Sequence, residues 1–260
     1  MERRRQSYWY TGFGFGFSSR PNFSSAAQEA EAQLVKSIEL LANALGLVDF
    51  ILLGHSMGGF LVSAYALQHP DRVSHLVLAD PWGFPNPTDQ PGNDPAQLPT
   101  PFWWNYLDIL HRYANPLFLI RAFGPLGLFA VKYCGRYLFP KFVGAVENTV
   151  ETISQYVYQC NAQIPTGKLA FHCMMVNSDY ARFLMVNRLL PLKHENPITF
   201  IYGWNSWIDR QPGLIIKEYR NQSTVDLLFL VAPVIKSILW TELFSKKFQV
   251  PMCVLSYQGL

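Results

Sequence analysis

A five-residue segment combines a reactive hydroxyl with small residues on both sides of it. Gly54-His55-Ser56-Met57-Gly58 has glycine two positions before and two positions after the serine. On a tight turn between a strand and a helix, this spacing raises the serine hydroxyl above the edge of a sheet. The pattern therefore predicts Ser56 as a nucleophile, with the N–H of Met57 as a donor to the oxyanion. The alternative is a glycine-rich turn with an unreactive serine.

The residues around this segment predict the strand and the helix that it requires. Phe50 to Gly54 is a continuous apolar run, typical of a strand buried on both faces of a parallel sheet. Gly58 to Gln68 is predicted to be helical, and His69-Pro70 ends the helix. Phe50 to Pro70 contains no Asp, Glu, Lys or Arg and is long enough for a membrane span. Its glycine cluster favours a strand, a turn and a helix instead.

Strands and helices alternate elsewhere in the chain. Ser25 and Gln28 form a capping-box pattern at the start of an amphipathic helix that runs to Leu45, and Gly46 follows as a C-terminal glycine. This alternation predicts an α/β fold with a mostly parallel sheet. The further predicted strands are His75 to Asp80, Ile198 to Gly203 and Val225 to Ala232.

The composition excludes several classes of protein. Half of the 260 residues are hydrophobic and only 15% are charged, against about 25% charged in an ordinary soluble domain. This argues against intrinsic disorder, and a scattered net charge of +3 argues against a nucleic-acid partner. The apolar excess indicates an apolar pocket or a membrane-facing surface. Four cysteines without metal-ligand spacing predict no disulfide framework, no metal site and a reducing intracellular location.

Proline and aromatic residues interrupt the alternation in the middle of the chain. Seven prolines lie from Pro81 to Pro101, and twelve aromatic residues lie from Phe102 to Phe142. We therefore expect an inserted helical cap over the active edge of the sheet, with the core of a second small domain as the alternative. The expected divisions are 1–80 with the nucleophile turn, a cap at 81–192, a second core segment at 193–232 and a divergent tail at 233–260.

Three glycines alternate with phenylalanines before the first predicted helix. Gly12, Gly14 and Gly16 match neither a dinucleotide-binding loop nor a phosphate-binding loop, and no strand is expected before them. The segment is therefore interpreted as a turn.

Several segments together resemble one subfamily. Besides GHSMGGF at Gly54 to Phe60, they are FSSRPNF at Phe17 to Phe23, PWGFP at Pro81 to Pro85, YVYQCNAQIPTG at Tyr156 to Gly167 and GWNSWID at Gly203 to Asp209. They resemble the alpha/beta-hydrolase-domain proteins of phospholipid and lipid-droplet metabolism. The resemblance implies an alpha/beta-hydrolase fold that hydrolyses acyl-ester or N-acyl phospholipids, or transfers acyl groups to lysophosphatidic acid, in lipid homeostasis.

The same resemblance implies partners and a location. It implies a lipid or acyl-chain substrate, a lipid-droplet or membrane surface, a lipase partner, and no metal or cofactor. It also implies a cytoplasmic protein, peripheral at lipid droplets, endoplasmic reticulum or mitochondrial membranes.

The acid of the catalytic group is predicted from the order of residues in this fold. A serine nucleophile needs a base that a carboxylate orients, and the chain order is Ser, then Asp or Glu, then His. Asp209 lies six residues beyond the ITFIYG strand and is the predicted acid. Asp80, at the end of the preceding strand, is the alternative. For either carboxylate, the non-catalytic role is to cap a turn.

The base is missing from its expected place. No histidine follows Asp209, and the expected loop reads LVAPVIKSIL at Leu230 to Leu239. The His-Gly loop that precedes the nucleophile in the subfamily has no counterpart either. We therefore expect a chain that is truncated at the N-terminus, divergent at the C-terminus and impaired in turnover. The alternative is a non-catalytic lipid-binding or lipase-regulating protein. The six histidines are His55, His69, His75, His111, His172 and His194, of which His111 and His172 belong to the predicted cap.

A second motif is weaker. His75 and Asp80 match the H-x4-D pattern that the subfamily shares with glycerolipid acyltransferases. Side chains alternate along a strand, so residues five apart are expected on opposite faces, where an acid and a base do not cooperate.

Overall fold

The structure contains a six-stranded parallel sheet. The computed structural model describes residues 7–85, 120–138, 148–176, 180–204, 206, 208–230 and 252–255. The strands are β1 Ser7–Tyr10, β2 Phe50–His55, β3 Val73–Ala79, β6 Ile198–Gly203, β7 Val225–Leu230 and β8 Met252–Leu255. All five neighbouring strand pairs in the sheet are parallel, in the order β1-β8-β2-β3-β6-β7. A separate antiparallel pair consists of β4 Met175–Val176 and β5 Tyr180–Ala181.

Helices alternate with these strands, as the sequence predicts for an α/β fold. In the part of the chain that the structure describes, no helix is both long enough and apolar enough to cross a membrane. The described helices are α1 Ala27–Ala44, α2 Met57–Gln68, α3 Gly127–Leu138, α4 Thr149–Ala162, α5 Thr166–Cys173, α6 Met185–Leu189 and α7 Gln211–Tyr219.

The centre of the sheet is buried on both faces. Every residue of β2 except His55 is buried, and so are the last four residues of β3. Such strands carry continuous apolar runs because helices cover both faces of a parallel sheet. Helix α2, which follows β2 directly, is buried on nearly every side from Met57 to Ala66. The predicted strand and helix around Ser56 are therefore confirmed.

The capping-box prediction at the start of α1 is wrong in its residues. The helix begins at Ala27, and no side chain caps it in the predicted way. Instead, the Ser24 hydroxyl accepts the N–H of Ala26 at 3.1 Å. At the other end, Gly46 has a φ of +63°, as predicted for a C-terminal glycine.

Two strands of the six-stranded sheet were not expected from the sequence, and neither was the short pair β4 and β5. Strand β1 precedes the alternating glycines, so the prediction that no strand lies before them is wrong. Strand β8 comes from the segment 233–260 that is predicted to be a divergent tail, and it pairs with both β1 and β2. Pairing between segments so distant in the chain leaves no local pattern, because it depends on which backbones meet in the folded sheet.

The contacts divide the chain into two compact units. The first consists of Met1–Phe13, Asn22–Pro91 and Leu169–Leu260, and the second of Gly14–Pro21 and Gly92–Lys168. The second unit overlaps the predicted cap at 81–192. Much of the proline-rich and aromatic sequence of this cap, at 86–119 and 139–147, lies outside the described residues. Within the second unit, Ile120 and Val131 form a small core with Ile153, Val157 and Tyr158.

Candidate active site

Ser56 lies at a sharp turn between β2 and α2. Its backbone has φ 54° and ψ −121°, a conformation that a residue with a side chain rarely adopts. The side chain is half-buried, between the end of the strand at His55 and the start of the helix at Met57. Strain of this kind is held only where surrounding contacts determine the conformation, and it is typical of functional sites.

Glycine is required near this turn because two backbone segments touch. A Cβ on Gly54 would lie 2.4 Å from the carbonyl oxygen of Gly58 and 2.6 Å from the nitrogen of Gly59. These neighbours are backbone atoms, which have little room to move. The spacing of Gly54 and Gly58 in the sequence therefore reflects a direct contact between the end of β2 and the first turn of α2.

Hydrogen bonds from two other segments fix the backbone of Ser56. Its N–H donates to the carbonyl of Ala79 at 3.1 Å, and its carbonyl accepts the N–H of Trp82 at 3.1 Å. The carbonyl also accepts the N–H of Gly59 at 2.9 Å. A Cβ on Gly59 would lie 2.8 Å from the Cβ of Pro81. The segment after β3 therefore holds the turn in place.

The aromatic residues of the PWGFP segment pack against aromatic side chains from other elements. Trp82 lies 5.4 Å from Phe60 and 4.7 Å from Phe171, measured between ring centroids. Phe84 meets Phe200 edge-on at 5.9 Å. From the sequence, this segment indicates only the subfamily. The signal for its structural role is the density of aromatic residues directly after a predicted strand.

The remaining residues of the turn lie at the end of β2 and in the first turn of α2. Met57 is the first residue of α2, so its N–H has no acceptor four residues earlier within the helix. The side chain of Met57 is buried, and Gly58 follows in the first turn. His55 is the half-buried last residue of β2 and lies opposite Ala79 in the sheet.

Asp80 lies directly after β3, beside the end of β6. Its φ is 38°, its side chain is 9% exposed, and Oδ1 accepts the N–H of Gly203 at 3.1 Å. Its own N–H donates to the carbonyl of Ile201 at 2.8 Å. These two bonds join the carboxyl ends of β3 and β6, the edge at which sites form in parallel sheets.

Asp209 lies between β6 and α7. Oδ1 accepts the N–H of Gln211 at 3.0 Å, so the carboxylate supports the start of the helix. Burial raises the pKa of the Tyr202 hydroxyl, and the negative charges of Asp80 and, to a smaller extent, Asp209 raise this pKa further. Both predicted carboxylates therefore act on the same side chain at the carboxyl end of β6.

The weak H-x4-D motif is explained by two separate contacts. The His75 Nε2 lies 2.8 Å from the Thr199 hydroxyl, whereas Asp80 accepts from Gly203. Thr199 and Gly203 are four residues apart on β6, about 13 Å along the strand. The strand ends at Ala79, so alternation along it does not reach Asp80, and that part of the prediction is wrong. His75 and Asp80 do not act together because they are too far apart.

Two other histidines have partners away from the turn. His69 Nε2 lies 3.9 Å from a carboxylate oxygen of Glu39, and His194 Nδ1 lies 2.9 Å from the hydroxyl of Ser223. His172 is exposed on α5, and His111 lies outside the described residues. Over the described ranges, no group of three or more His, Cys, Asp or Glu side chains is arranged to hold a metal ion.

The comparisons with known proteins agree with this geometry. Residues 13–175 match the alpha/beta hydrolase fold family. The chain is 41% identical over 228 residues to the (lyso)-N-acylphosphatidylethanolamine lipase of Mus musculus, covering 86% of this chain and 64% of that protein. It is 39% identical over 227 residues to the 1-acylglycerol-3-phosphate O-acyltransferase ABHD5 of Sus scrofa, covering 87% of this chain and 64% of that protein.

A solved structure shows the same fold at low sequence identity. It is the 2-hydroxy-6-oxo-6-phenylhexa-2,4-dienoate hydrolase of Rhodococcus sp. strain RHA1, with a TM-score of 0.57 and 16% identity over 89% of this chain and 84% of that chain. The subfamily resemblance predicted from the sequence is confirmed by the two relatives, of whose length the chain spans 64%. The strained serine turn, the parallel sheet and the family match lead to one conclusion: the chain belongs to the alpha/beta hydrolase fold family.

Proposed function

We propose that the chain is a serine-dependent lipid acyl hydrolase in which Ser56 is the nucleophile. The observation that carries the proposal is the backbone of Ser56, with φ 54° and ψ −121° between a buried strand and a buried helix. A serine used only for packing or capping gains nothing from this strain. A nucleophile does, because the turn exposes its hydroxyl beside the amides at the start of the helix.

The reaction proceeds by acyl transfer to the serine. The Ser56 Oγ attacks the acyl carbonyl carbon and forms an ester, while the bond from that carbon to the leaving oxygen or nitrogen breaks. The proton of the serine passes to the leaving group. Water then hydrolyses the acyl-serine, or a lysophospholipid hydroxyl accepts the acyl group, and Ser56 regains its proton.

The backbone around Ser56 supplies charge stabilisation. The N–H of Met57, at the start of α2, donates to the oxyanion, and the positive end of the helix dipole points toward the same negative charge. Asp209 is the proposed acid, at the carboxyl end of β6, and Asp80 is the alternative. Asp80 is the more buried carboxylate and joins two strands, whereas Asp209 lies in a segment between a strand and a helix. This difference favours Asp209 as the carboxylate that can orient a base.

The proposed substrate class follows from the relatives. Their names describe a lipase for (lyso)-N-acylphosphatidylethanolamine and an acyltransferase for 1-acylglycerol-3-phosphate. We therefore propose acyl-ester or N-acyl phospholipids as substrates, presented at a lipid-droplet or membrane surface, with a lipase as a further partner.

Turnover by these 260 residues is proposed to be slow. None of the residues after Asp209 is a histidine, and His69, His75 and His194 are bonded elsewhere. A serine without a positioned base reacts poorly, since general-base catalysis contributes about 10²–10⁴-fold.

The test combines covalent labelling with chemical rescue. A fluorophosphonate probe is expected to label the wild-type chain slowly and Ser56→Ala not at all. Added imidazole, a diffusible base, is expected to raise the wild-type labelling rate and the hydrolysis of an N-acyl phospholipid. Equal labelling of the wild type and Ser56→Ala would exclude Ser56 as the nucleophile. Fast labelling that imidazole leaves unchanged would show that another base already operates.

The second candidate function is a non-catalytic lipid-binding or lipase-regulating protein. The observation that favours it is the absence of a histidine after Asp209. In this case the wild-type chain binds phospholipid vesicles, and Ser56→Ala binds them equally well. Hydrolysis stays at the level of the uncatalysed reaction with or without imidazole. Imidazole-dependent hydrolysis that requires Ser56 would exclude this function.

A further inference from the structure

Three cationic side chains of the second unit donate hydrogen bonds to oxygen atoms of two residues, Asn161 and Ile164. Arg121 Nη1 donates to the carbonyl of Asn161 at 3.2 Å, and Lys168 Nζ donates to Oδ1 of the same Asn161. Arg20 Nη1 donates to the carbonyl of Ile164 at 3.0 Å. Asn161 therefore holds the charged ends of Arg121 and Lys168 in one neighbourhood, where the charge of Arg121 acts on Lys168.

A second contact brings Arg20 beside Lys168. The carbonyl of Gly14 accepts a hydrogen bond from Arg20 Nη1 at 2.5 Å. The same carbonyl accepts the N–H of Gly167, the residue before Lys168, at 3.3 Å. The guanidinium of Arg20 and the backbone of α5 therefore meet at one oxygen atom.

The three charges repel one another. Burial lowers the pKa of Lys168 to about 8, and the charges of Arg121 and Arg20 act in the same direction. Burial also lowers the pKa of Arg121 and that of Arg20. The thiol of Cys160 is the group that acts in the opposite direction on Lys168.

No carboxylate in the described part of this unit balances these charges. Glu151 is the one described acidic residue there, and its carboxylate pairs with Lys132 at 2.6 Å. The hydrogen bonds of Arg20, Arg121 and Lys168 go to carbonyl or amide oxygens. Three half-buried cations with no carboxylate beside them among the described residues are electrostatically unfavourable, and an anion bound between them relieves this repulsion.

Within the described ranges, the hydrogen bonds of these cations use only some of their donors. The ammonium of Lys168 has three N–H donors and the guanidinium of Arg121 has five, and among the described residues one hydrogen bond is seen from each. Nearby, the hydroxyl of Thr166, a residue 8% exposed, and Nε of Arg20 have no partner among the described residues. Among the described residues, this region therefore has more N–H and O–H donors than the acceptors that bind them.

We propose that Arg20, Arg121 and Lys168 form a binding site for a phosphate monoester. A phosphate monoester carries about −1.5 to −2 charges and three acceptor oxygens, which match three cations better than the single charge of a carboxylate. The phosphate comes from a lipid headgroup or from a free phosphate compound. The site goes beyond the proposed function, because binding here depends on neither Ser56 nor hydrolysis.

The test measures phosphate binding by the full chain with isothermal titration calorimetry. The probes are inorganic phosphate, short-chain phosphatidic acid below its micelle concentration, and the matching neutral diacylglycerol. Wild type is expected to bind both phosphates and to bind diacylglycerol much more weakly. Lys168→Gln and Arg121→Gln are each expected to weaken phosphate binding about tenfold, the loss of one charge-assisted hydrogen bond. Tighter binding of phosphatidic acid identifies a lipid headgroup as the source, and equal binding identifies free phosphate.

The matched control is Lys132→Gln, which removes the same charge from the same unit. It is expected to change phosphate affinity less than twofold, because Lys132 is paired with Glu151. Circular dichroism establishes that each variant is folded, and Arg121→Gln serves where Lys168→Gln does not fold. The proposal is overturned if wild type does not bind phosphate, if diacylglycerol binds as tightly as phosphatidic acid, or if Lys132→Gln weakens binding as much as the other two variants.

Discussion

The tight packing at the Ser56 turn makes Gly54→Ala the most informative substitution in the fold. The new Cβ would lie 2.4 Å from the oxygen and 2.5 Å from the carbon of the Gly58 carbonyl. Ordinary carbon contacts are about 3.5–4.0 Å, so the first turn of α2 must move by about 1 Å. Overpacking costs about 1–3 kcal/mol when side chains can adjust. We expect about 3 kcal/mol or more here, because the neighbours are backbone atoms.

Gly46→Ala provides the matched comparison. Gly46 has a φ of +63°, and a Cβ there meets no atom within 4 Å. Its cost is therefore conformational, about 1 kcal/mol. Urea unfolding of both variants measures the difference in free energy of unfolding, expected to be about 2 kcal/mol in favour of Gly46→Ala. Gly54→Ala is also expected to lose fluorophosphonate labelling of Ser56 while still folded at low temperature.

A clear result would refute this reasoning. If Gly54→Ala is no less stable than Gly46→Ala, the contact between the end of β2 and the start of α2 is not tight in solution. The strained geometry at Ser56 would then lose its support, and with it the main argument for a nucleophile.

Three further substitutions test separate parts of the structure. Ser56→Gly is expected to raise the free energy of unfolding by about 1 kcal/mol relative to Ser56→Ala, because only glycine relieves the strain of a φ of 54°; urea unfolding checks this. Arg220→Met is expected to cost about 3 kcal/mol or more in the same assay, whereas the exposed Lys217→Met changes stability by less than about 0.5 kcal/mol. The reason is that the Arg220 side chain is buried and donates to four backbone carbonyls before β6. Lys168 has a pKa of about 8 when folded, and its ordinary value is about 10.4, so the unfolded chain binds the extra proton between these values. The contribution of Lys168 to the free energy of unfolding therefore rises with pH between these two values. Lys168→Gln is expected to remove the corresponding rise in melting temperature. A rise that is unchanged in Lys168→Gln would contradict the lowered pKa.

Local patterns in the sequence predicted the centre of the fold. The apolar run of β2, the glycines around Ser56 and the helix after them are adjacent in the chain, so their spacing already contains the turn. The strands β3 and β6 follow for the same reason, since a strand buried on both faces must be continuously apolar. Strand β7 was predicted from its apolar run as well, although most of its residues are exposed or half-buried in the structure. The family resemblance was visible from short segments and is confirmed by the relatives.

The contacts of charged and polar side chains were beyond local patterns. His75 and Asp80 match a motif in which a histidine and an aspartate act together. Their hydrogen-bond partners in the structure instead lie on β6, more than 100 residues later in the chain. Asp80 and Asp209 both influence Tyr202, which no spacing rule predicts. These contacts exist because parallel strands bring their carboxyl ends to one edge, whatever their distance in sequence.

The sequence by itself identified the candidate catalytic residues. These are a serine on a glycine-flanked turn and a carboxylate after a later strand, with no histidine after that carboxylate. Only the tertiary structure decided which groups meet. It placed β8 beside β2, joined PWGFP to the backbone of Ser56, and gathered Arg20, Arg121 and Lys168 from three separate segments. The physical reason is that spacing along the chain fixes only local geometry. Long-range contacts depend on how strands pair and how helices pack against them, and that is settled by the folded chain as a whole.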